Sequence, residues 1–226
     1  MHYFVIEGID TSGKTTQHKL LQQRLGGVNL QDYKKHDDII FINEPGATDL
    51  GFYIRQLLLH EHIEISKKAS FLLFLAQRAE IFTQIINIPN IVISDRSLLS
   101  GIAYDLSLNI TQALYFNLFA TYNTLPEKIV FLEIPQNEIA KRLSGKQLDS
   151  IEQNGIEYLM NIQSRFHEIL HYICDIETYK KISTIQEDYS LQKFYHQNTL
   201  PKILRLDATY SKEELHEQIF TFFFDN

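Results

Sequence analysis

Tyr3-Phe4-Val5-Ile6-Glu7-Gly8-Ile9-Asp10-Thr11-Ser12-Gly13-Lys14-Thr15-Thr16 is the stretch on which the fold turns. Its apolar opening, Tyr3-Phe4-Val5-Ile6, predicts a buried strand, and Gly8 to Thr15 then spell G-x-x-x-x-G-K-[ST], a phosphate loop in the strand, glycine loop, helix context that the motif requires. Gly8 and Gly13 let the backbone curl until successive N–H groups point inward, and the helix beginning near Lys14 adds its N-terminal partial positive charge. The nucleotide-binding candidates are therefore Gly8, Ile9, Asp10, Thr11, Ser12, Gly13, Lys14, Thr15 and Thr16. Lys14 is placed to reach the β- and γ-phosphates and the Thr15 hydroxyl to ligate Mg²⁺. A glycine-rich turn with no ligand is the plainer reading of the pattern without its context.

Outward from this loop, four further short apolar segments read as buried strands, at residues 39–43, 90–94, 128–133 and 202–206. They lack the polar alternation of a half-exposed sheet, which predicts five parallel strands covered on both faces. Helical spacing fills residues 15–25, 50–59, 67–86, 97–122, 136–143, 151–175 and 211–224. Strands alternating with helices give an α/β class, three layers in α/β/α order, with ligands beyond the carboxyl ends of the strands. We read residues 1–226 as a single domain, with a short helical lid at about 142–153 and an irregular insertion at about 177–201.

The strand ends carry the candidate chemistry. Glu44-Pro45-Gly46 follows the second predicted strand, where proline stiffens the turn and glycine lets the backbone pass close to a ligand; an ordinary tight turn would look the same. Asp95-Arg96 ends the third, where Asp95 would help to hold a Mg²⁺ shell and Arg96 would clamp a phosphate with its planar fork of donors. Phe71, Phe74 and Arg78 lie at i, i+3 and i+7 and share a helix face, so that an aromatic ring would stack on a nucleobase and the arginine would donate to its carbonyl edge. Periodicity alone favours the plainer reading, that Phe71, Leu72, Phe74 and Leu75 are core. Arg55 interrupts an otherwise apolar helix, and Ser100 and Tyr104 stand one helical turn apart.

Composition narrows the class further. A formal charge of −7 with no basic run disfavours nucleic acid as a partner. No apolar run reaches the length of a membrane span, and no basic segment or cleavage site precedes the first strand, so the expectation is a cytoplasmic protein with no membrane contact. One cysteine, Cys174, excludes an intrachain disulfide framework.

Taken in order and spacing, the phosphate loop with Asp10, then Glu44-Pro45-Gly46, Arg55, Phe74 with Arg78, and Asp95-Arg96 through Tyr104 resemble the bacterial thymidylate kinase family. Leu148-Asp149-Ser150-Ile151-Glu152-Gln153 looks like the segment that closes that family's lid, and Leu206-Asp207-Ala208-Thr209 like its last strand and adenine-side loop. The resemblance implies transfer of the ATP γ-phosphoryl group to dTMP with Mg²⁺, giving dTDP and ADP, by a homodimer. It implies dTMP contacts from Asp10, Glu44, Pro45, Arg55, Phe74, Arg78, Arg96, Ser100 and Tyr104. Among them Phe74 would stack on thymine, Arg55 and Arg96 would grip the phosphate, and Tyr104 would wall the deoxyribose. The apolar helices 67–86 and 97–122 would supply the subunit interface.

The chain departs from the family pattern in the loop, in the lid, at Gly101 and Ile102 beside the base, and in the insertion 177–201. The catalytic arginine usual in the phosphate loop is replaced by Thr11, and the lid offers only Arg142 and Lys146. Lys146 is therefore the candidate transition-state cation and Arg142 an adenine-side or phosphate contact, which with Lys14, Asp10 and Arg96 completes the candidate catalytic group. Gly101 stands where the family often carries a hydroxyl near the base. The alternatives are another nucleoside monophosphate or deoxynucleoside kinase, for which Glu44 or Asp95 would have to act as a base, and a non-catalytic nucleotide sensor. A GTPase is disfavoured because no Asn-Lys-x-Asp motif follows the sheet.

Overall fold

The computed structural model describes residues 1–59, 63–88, 90–144, 155–175 and 200–225. In chain order these form β1 (His2–Gly8), α1 (Lys14–Leu25), β2 (Val28–Asn29), a single 3₁₀ turn (Leu30–Asp32), β3 (Ile39–Asn43), α2 (Asp49–Leu59), α3 (Lys67–Ile85), β4 (Ile91–Asp95), α4 (Leu98–Tyr104), α5 (Ile110–Ala120), β5 (Lys128–Glu133), α6 (Gln136–Leu143), α7 (Ile156–Cys174), β6 (Lys202–Asp207) and α8 (Lys212–Phe224). The strands make one sheet in the order β2-β3-β4-β1-β5-β6, and every pairing is parallel.

The five predicted strands are all present, and the sheet has a sixth, β2. With two residues, Val28 and Asn29, it is too short to carry a periodicity and is held on the edge by its pairing with Ile40 and Phe41. The helix predicted over 97–122 is two helices, α4 and α5. The break has a visible cause: Asn109 caps α5 by accepting from the Gln112 N–H, and Arg165 of α7 donates to the carbonyls of Ile102, Asp105 and Leu108 across the gap. Ser66 and Ser211 cap α3 and α8 in the same manner, the latter with the reciprocal Glu214 bond of a capping box.

Alternation along β1 builds the three layers. Tyr3 turns one way and meets Phe82 of α3 edge-on at 5.4 Å, while Phe4 turns the other way and stacks on Phe223 of α8 at 5.2 Å. On the α8 side, α1 packs over β1, β3 and β4 and is tied to α8 by Gln17, which donates to the Lys212 carbonyl at 2.9 Å, and by the Arg24–Glu217 ion pair. On the other side α3, α4, α5 and α7 pack in succession, with Phe166 of α7 against Phe131 of β5. Ile6, Ile42, Ile93 and Val130, one from each of the inner strands β1, β3, β4 and β5, are at most 1% exposed. Near-continuous apolar runs are what a sheet covered on both faces demands. No described helix is long and apolar enough to cross a membrane.

Candidate functional site

The phosphate loop joins β1 to α1 at the centre of the sheet. Gly8 has φ 147°, and a Cβ there would stand 2.6 Å from the Leu132 carbonyl oxygen and 2.7 Å from Ser12 Oγ, so only glycine allows the loop to lie this close to β5. Ser12 N–H donates to the Ile9 carbonyl at 3.3 Å, and the Lys14 ammonium donates to the same carbonyl at 2.7 Å, folding the side chain back over the loop. Burial, reinforced by the nearby positive charge of Arg96, lowers the Lys14 pKa to about 8. Thr15 and Thr16 are exposed on the first turn of α1.

At the loop's edge the Thr15 hydroxyl donates to Asp95 Oδ2 at 2.6 Å. Asp95 Oδ1 is buried without a hydrogen-bond partner among the described residues, an oxygen whose lone pairs need a donor or a cation. No cluster of three or more His, Cys, Asp or Glu among the described residues could hold a metal alone. A Mg²⁺ at a nucleotide site takes one or two protein groups, with phosphates and water completing its shell, so a hydroxyl and a single carboxylate fit it.

Beside the loop opens a cavity of about 520 Å³. All of the residues that the resemblance assigns to dTMP line it: Asp10, Glu44, Pro45, Arg55, Phe74, Arg78, Arg96, Ser100 and Tyr104. Lys67, Ser70, Asp105 and Tyr158 line it too, and no local pattern singles them out; Tyr158 comes from α7, and only the tertiary packing of that helix brings it here.

The arginines of this cavity are held in different ways. Arg78 and Glu44, 3% and 1% exposed, form a buried ion pair at 2.7 Å; Arg78 also donates to Asn117 Oδ1 at 2.6 Å and to the Ser97 carbonyl at 3.1 Å. Glu44 accepts from Gln77 as well, and burial raises its pKa although Arg78 opposes the shift. The sequence did not reveal Asn117. It lies 39 residues from Arg78 on another helix. The missing side chain of Gly101 makes this arrangement possible, since a Cβ there would stand 2.7 Å from Arg78 Nη1 and 2.8 Å from Asn117 Oδ1.

Arg96 takes the left-handed conformation, φ 73°, which turns its side chain across the carboxyl end of the sheet. Its guanidinium pairs with Asp10, whose other oxygen accepts from the Tyr104 hydroxyl at 2.8 Å. Burial works against the Arg96 charge, but Asp10 and further acidic neighbours outweigh it and hold the pKa above the ordinary arginine value. Arg55 donates to the Pro45 carbonyl at 2.8 Å and is in none of the ion pairs formed among the described residues.

Arg142 sits at the end of α6. It donates from Nε to Glu138, from Nη1 to the Thr11 carbonyl at 3.0 Å and from Nη2 to the Ala208 carbonyl at 2.7 Å. It thus joins the phosphate loop to the turn after β6. Lys146, the lid segment 145–154 and residues 176–199 of the insertion lie outside the described residues.

Comparison with known proteins gives one answer. A model of the thymidylate kinase family matches residues 6–189. The thymidylate kinase of Campylobacter jejuni is 41% identical over 219 residues, covering 96% of this chain and 97% of that protein, and the Campylobacter lari thymidylate kinase is 39% identical over 227 residues, 99% and 100% of the two chains. Among solved structures, the thymidylate kinase of Candida albicans superposes with a TM-score of 0.63 over 97% of this chain and 89% of its own at 22% identity, a likeness of fold.

Proposed function

Because the chain belongs to the thymidylate kinase family, whose members are ATP-using phosphotransferases, we infer that it moves the γ-phosphoryl group of ATP to dTMP and that the cavity beside the phosphate loop is the dTMP site. One observation carries the second half of this reading. The charge of Arg78 is cancelled by a buried carboxylate, whereas Arg55 is in no ion pair among the described residues. A buried arginine whose Nε and both Nη groups already have protein partners is a donor suited to an uncharged carbonyl, whereas an arginine with uncompensated charge suits an anion. One cavity therefore offers a base edge and a phosphate grip to the same ligand.

In this reading a dTMP phosphate oxygen attacks the γ-phosphorus, the bond to the β-phosphate oxygen breaks, and ADP leaves. The acceptor is already an anion and needs no strong base. Positioning and positive charge carry the catalysis. Lys14 would exchange the Ile9 carbonyl for the donor phosphates, Arg55 and Arg96 would hold the acceptor phosphate, Phe74 would stack on thymine, and Asp10 with Tyr104 would flank the sugar. Thr15 and Asp95 would hold Mg²⁺, which would supply positive charge to the donor phosphates. Arg142 would steady the loop and the adenine side, with Lys146 as the transition-state cation. Of the two candidate bases of the deoxynucleoside kinase alternative, Glu44 is held by Arg78 and Gln77 through Oε2, and Asp95 accepts from Thr15 through Oδ2, the position this reading gives to the metal.

The protein acts as a homodimer in this proposal. Leu72 of α3 and Phe116 and Phe119 of α5, on helices packed against each other, are 54%, 43% and 65% exposed, an apolar face of the kind that subunits cover. ADP release with ATP and Mg²⁺ against dTMP, dUMP, dCMP, dGMP, dAMP, thymidine and no acceptor tests the function. Turnover led by dTMP is expected. Preference for thymidine would make the protein a nucleoside kinase, and ATP binding without turnover on any acceptor would make it a sensor.

A further inference from the structure

Glu7, in β1 directly before the phosphate loop, does not line the cavity. It is fully buried, yet it is not isolated: it accepts from Ser97 Oγ at 2.6 Å, from Ser100 Oγ at 2.7 Å and from the Ser100 N–H at 3.3 Å. Desolvation raises its pKa, and these serine bonds draw it back.

The directions of these bonds matter more than their number. An ionised carboxylate only accepts, and a serine hydroxyl has one hydrogen to give. With the Ser100 hydrogen spent on Glu7, the lone pairs of Oγ are turned towards Arg96, whose Nη1 donates to it at 3.2 Å. Arg96 is then gripped at two nitrogens, Nη1 by Ser100 and Nη2 by Asp10. Its backbone N–H donates to the Ile6 carbonyl at 3.1 Å, next to Glu7 in the same strand.

We propose that Glu7 is a positioning residue for Arg96, acting through Ser100: by taking that hydroxyl's only hydrogen it makes Ser100 an acceptor and fixes the guanidinium at the angle the acceptor phosphate requires. The donor loop and the acceptor clamp are thereby set from one strand, because Glu7 adjoins Gly8 in sequence. The proposal rests on the reading that Arg96 holds the phosphate of dTMP.

Glu7→Gln, Ser100→Ala and the double variant test it. The glutamine keeps the size of Glu7, but its amide nitrogen can only donate, so one serine hydroxyl must turn round and can present its hydrogen to Arg96. We expect Glu7→Gln to raise the KM for dTMP roughly tenfold, as loss of a hydrogen bond to a charged group would, with the KM for ATP changed less than about twofold. The double variant should be no worse than Ser100→Ala, because both substitutions remove one contact. Additive effects, or equal rises in both KM values, would overturn the proposal in favour of a purely structural Glu7. An activity-free readout accompanies these: the ¹⁵N signals of the Arg96 guanidinium should lose hindered rotation in Glu7→Gln and in Ser100→Ala, the latter serving if the glutamine variant does not fold. Wild-type protein that fails to turn over dTMP would refute the functional reading, and the guanidinium signals would still decide the Glu7 link. Active wild type with an unchanged dTMP KM in Glu7→Gln would refute this inference alone.

Discussion

Arg142 and Thr11, 131 residues apart in the chain, are joined by a 3.0 Å hydrogen bond from the guanidinium to the carbonyl. Thr11 has φ 67°, a conformation that residues other than glycine seldom adopt, so the loop needs an outside hold at this point. Replacing Arg142 with alanine should raise the KM for ATP about tenfold with a smaller change for dTMP. Lysine should not rescue it, since one ammonium cannot serve Glu138, Thr11 and Ala208 from a planar fork. Initial-rate kinetics with each substrate varied would show this, and rescue by lysine would count against it.

Gly101→Ala is a one-carbon test of the base site. The added methyl group would stand 2.7 Å from Arg78 Nη1, so the guanidinium must leave Asn117 or tilt. We expect the KM for dTMP to rise at least about tenfold, because a buried bond to a charged group is lost or bent, and the KM for ATP to stay as it was. A variant that binds dTMP normally would show that Arg78 does not meet the base from its observed position.

Arg55→Ala separates phosphate from nucleoside recognition. Loss of a charged phosphate contact should weaken dTMP binding by about ten- to a hundredfold. Thymidine has no phosphate, and its weaker competitive inhibition should be nearly unaffected. Parallel losses for both ligands would place Arg55 elsewhere in the site's economy.

Phe119→Glu should yield monomers. The ring is 65% exposed on α5, and a carboxylate there would have to be desolvated under a partner subunit. Sedimentation equilibrium of the variant and wild type decides the matter; two dimers, or two monomers, would remove this face from consideration.

Stability should fall in mild acid through His18. The ring is buried edge-on against Phe41 with Nε2 3.1 Å from the Ile93 carbonyl, and burial holds its pKa below 6.5, with Asp95 and backbone carbonyls pulling partly back. Below 6.5 the unfolded chain takes up a proton that the folded protein resists, so the stabilisation is whole above that pH and is lost as pH drops through it. The urea midpoint of wild type should therefore fall more than that of His18→Gln between about pH 7.5 and about 5.5. Equal falls would absolve His18.

The sequence made the sheet legible because its strands are buried on both faces and read as unbroken apolar runs. The cavity-lining residues were legible because a resemblance ordered them, not because their local patterns were specific: Phe71, Phe74 and Arg78 share a face whether they line a site or a core, and in the structure Phe71 does both, packing on Phe116 at 6.0 Å while bordering the cavity. What stayed hidden depends on contacts between distant segments. Glu7 read as one more residue of a buried strand, and its three donors come from α4 and the turn before it. Asn117 reaches Arg78 from a different helix, 39 residues away, a contact that no local pattern around it records. The break between α4 and α5 follows from Arg165, some sixty residues downstream, which no local pattern around 105–109 records.

The position of β1 has a consequence for how the chain comes into being. It leaves the ribosome before every other strand of this sheet, yet it lies between β4 and β5, and its partners for His2 and Phe4 are Ile91 and Lys128. During synthesis the nucleotide loop therefore hangs from an unpaired apolar ribbon until about ninety more residues have emerged, and gains its second neighbour only after β5 follows. Such distant pairings slow folding and leave the ribbon open to wrong partners meanwhile. Over that interval, help from the cell's chaperones would matter more to this strand than to any other in the sheet.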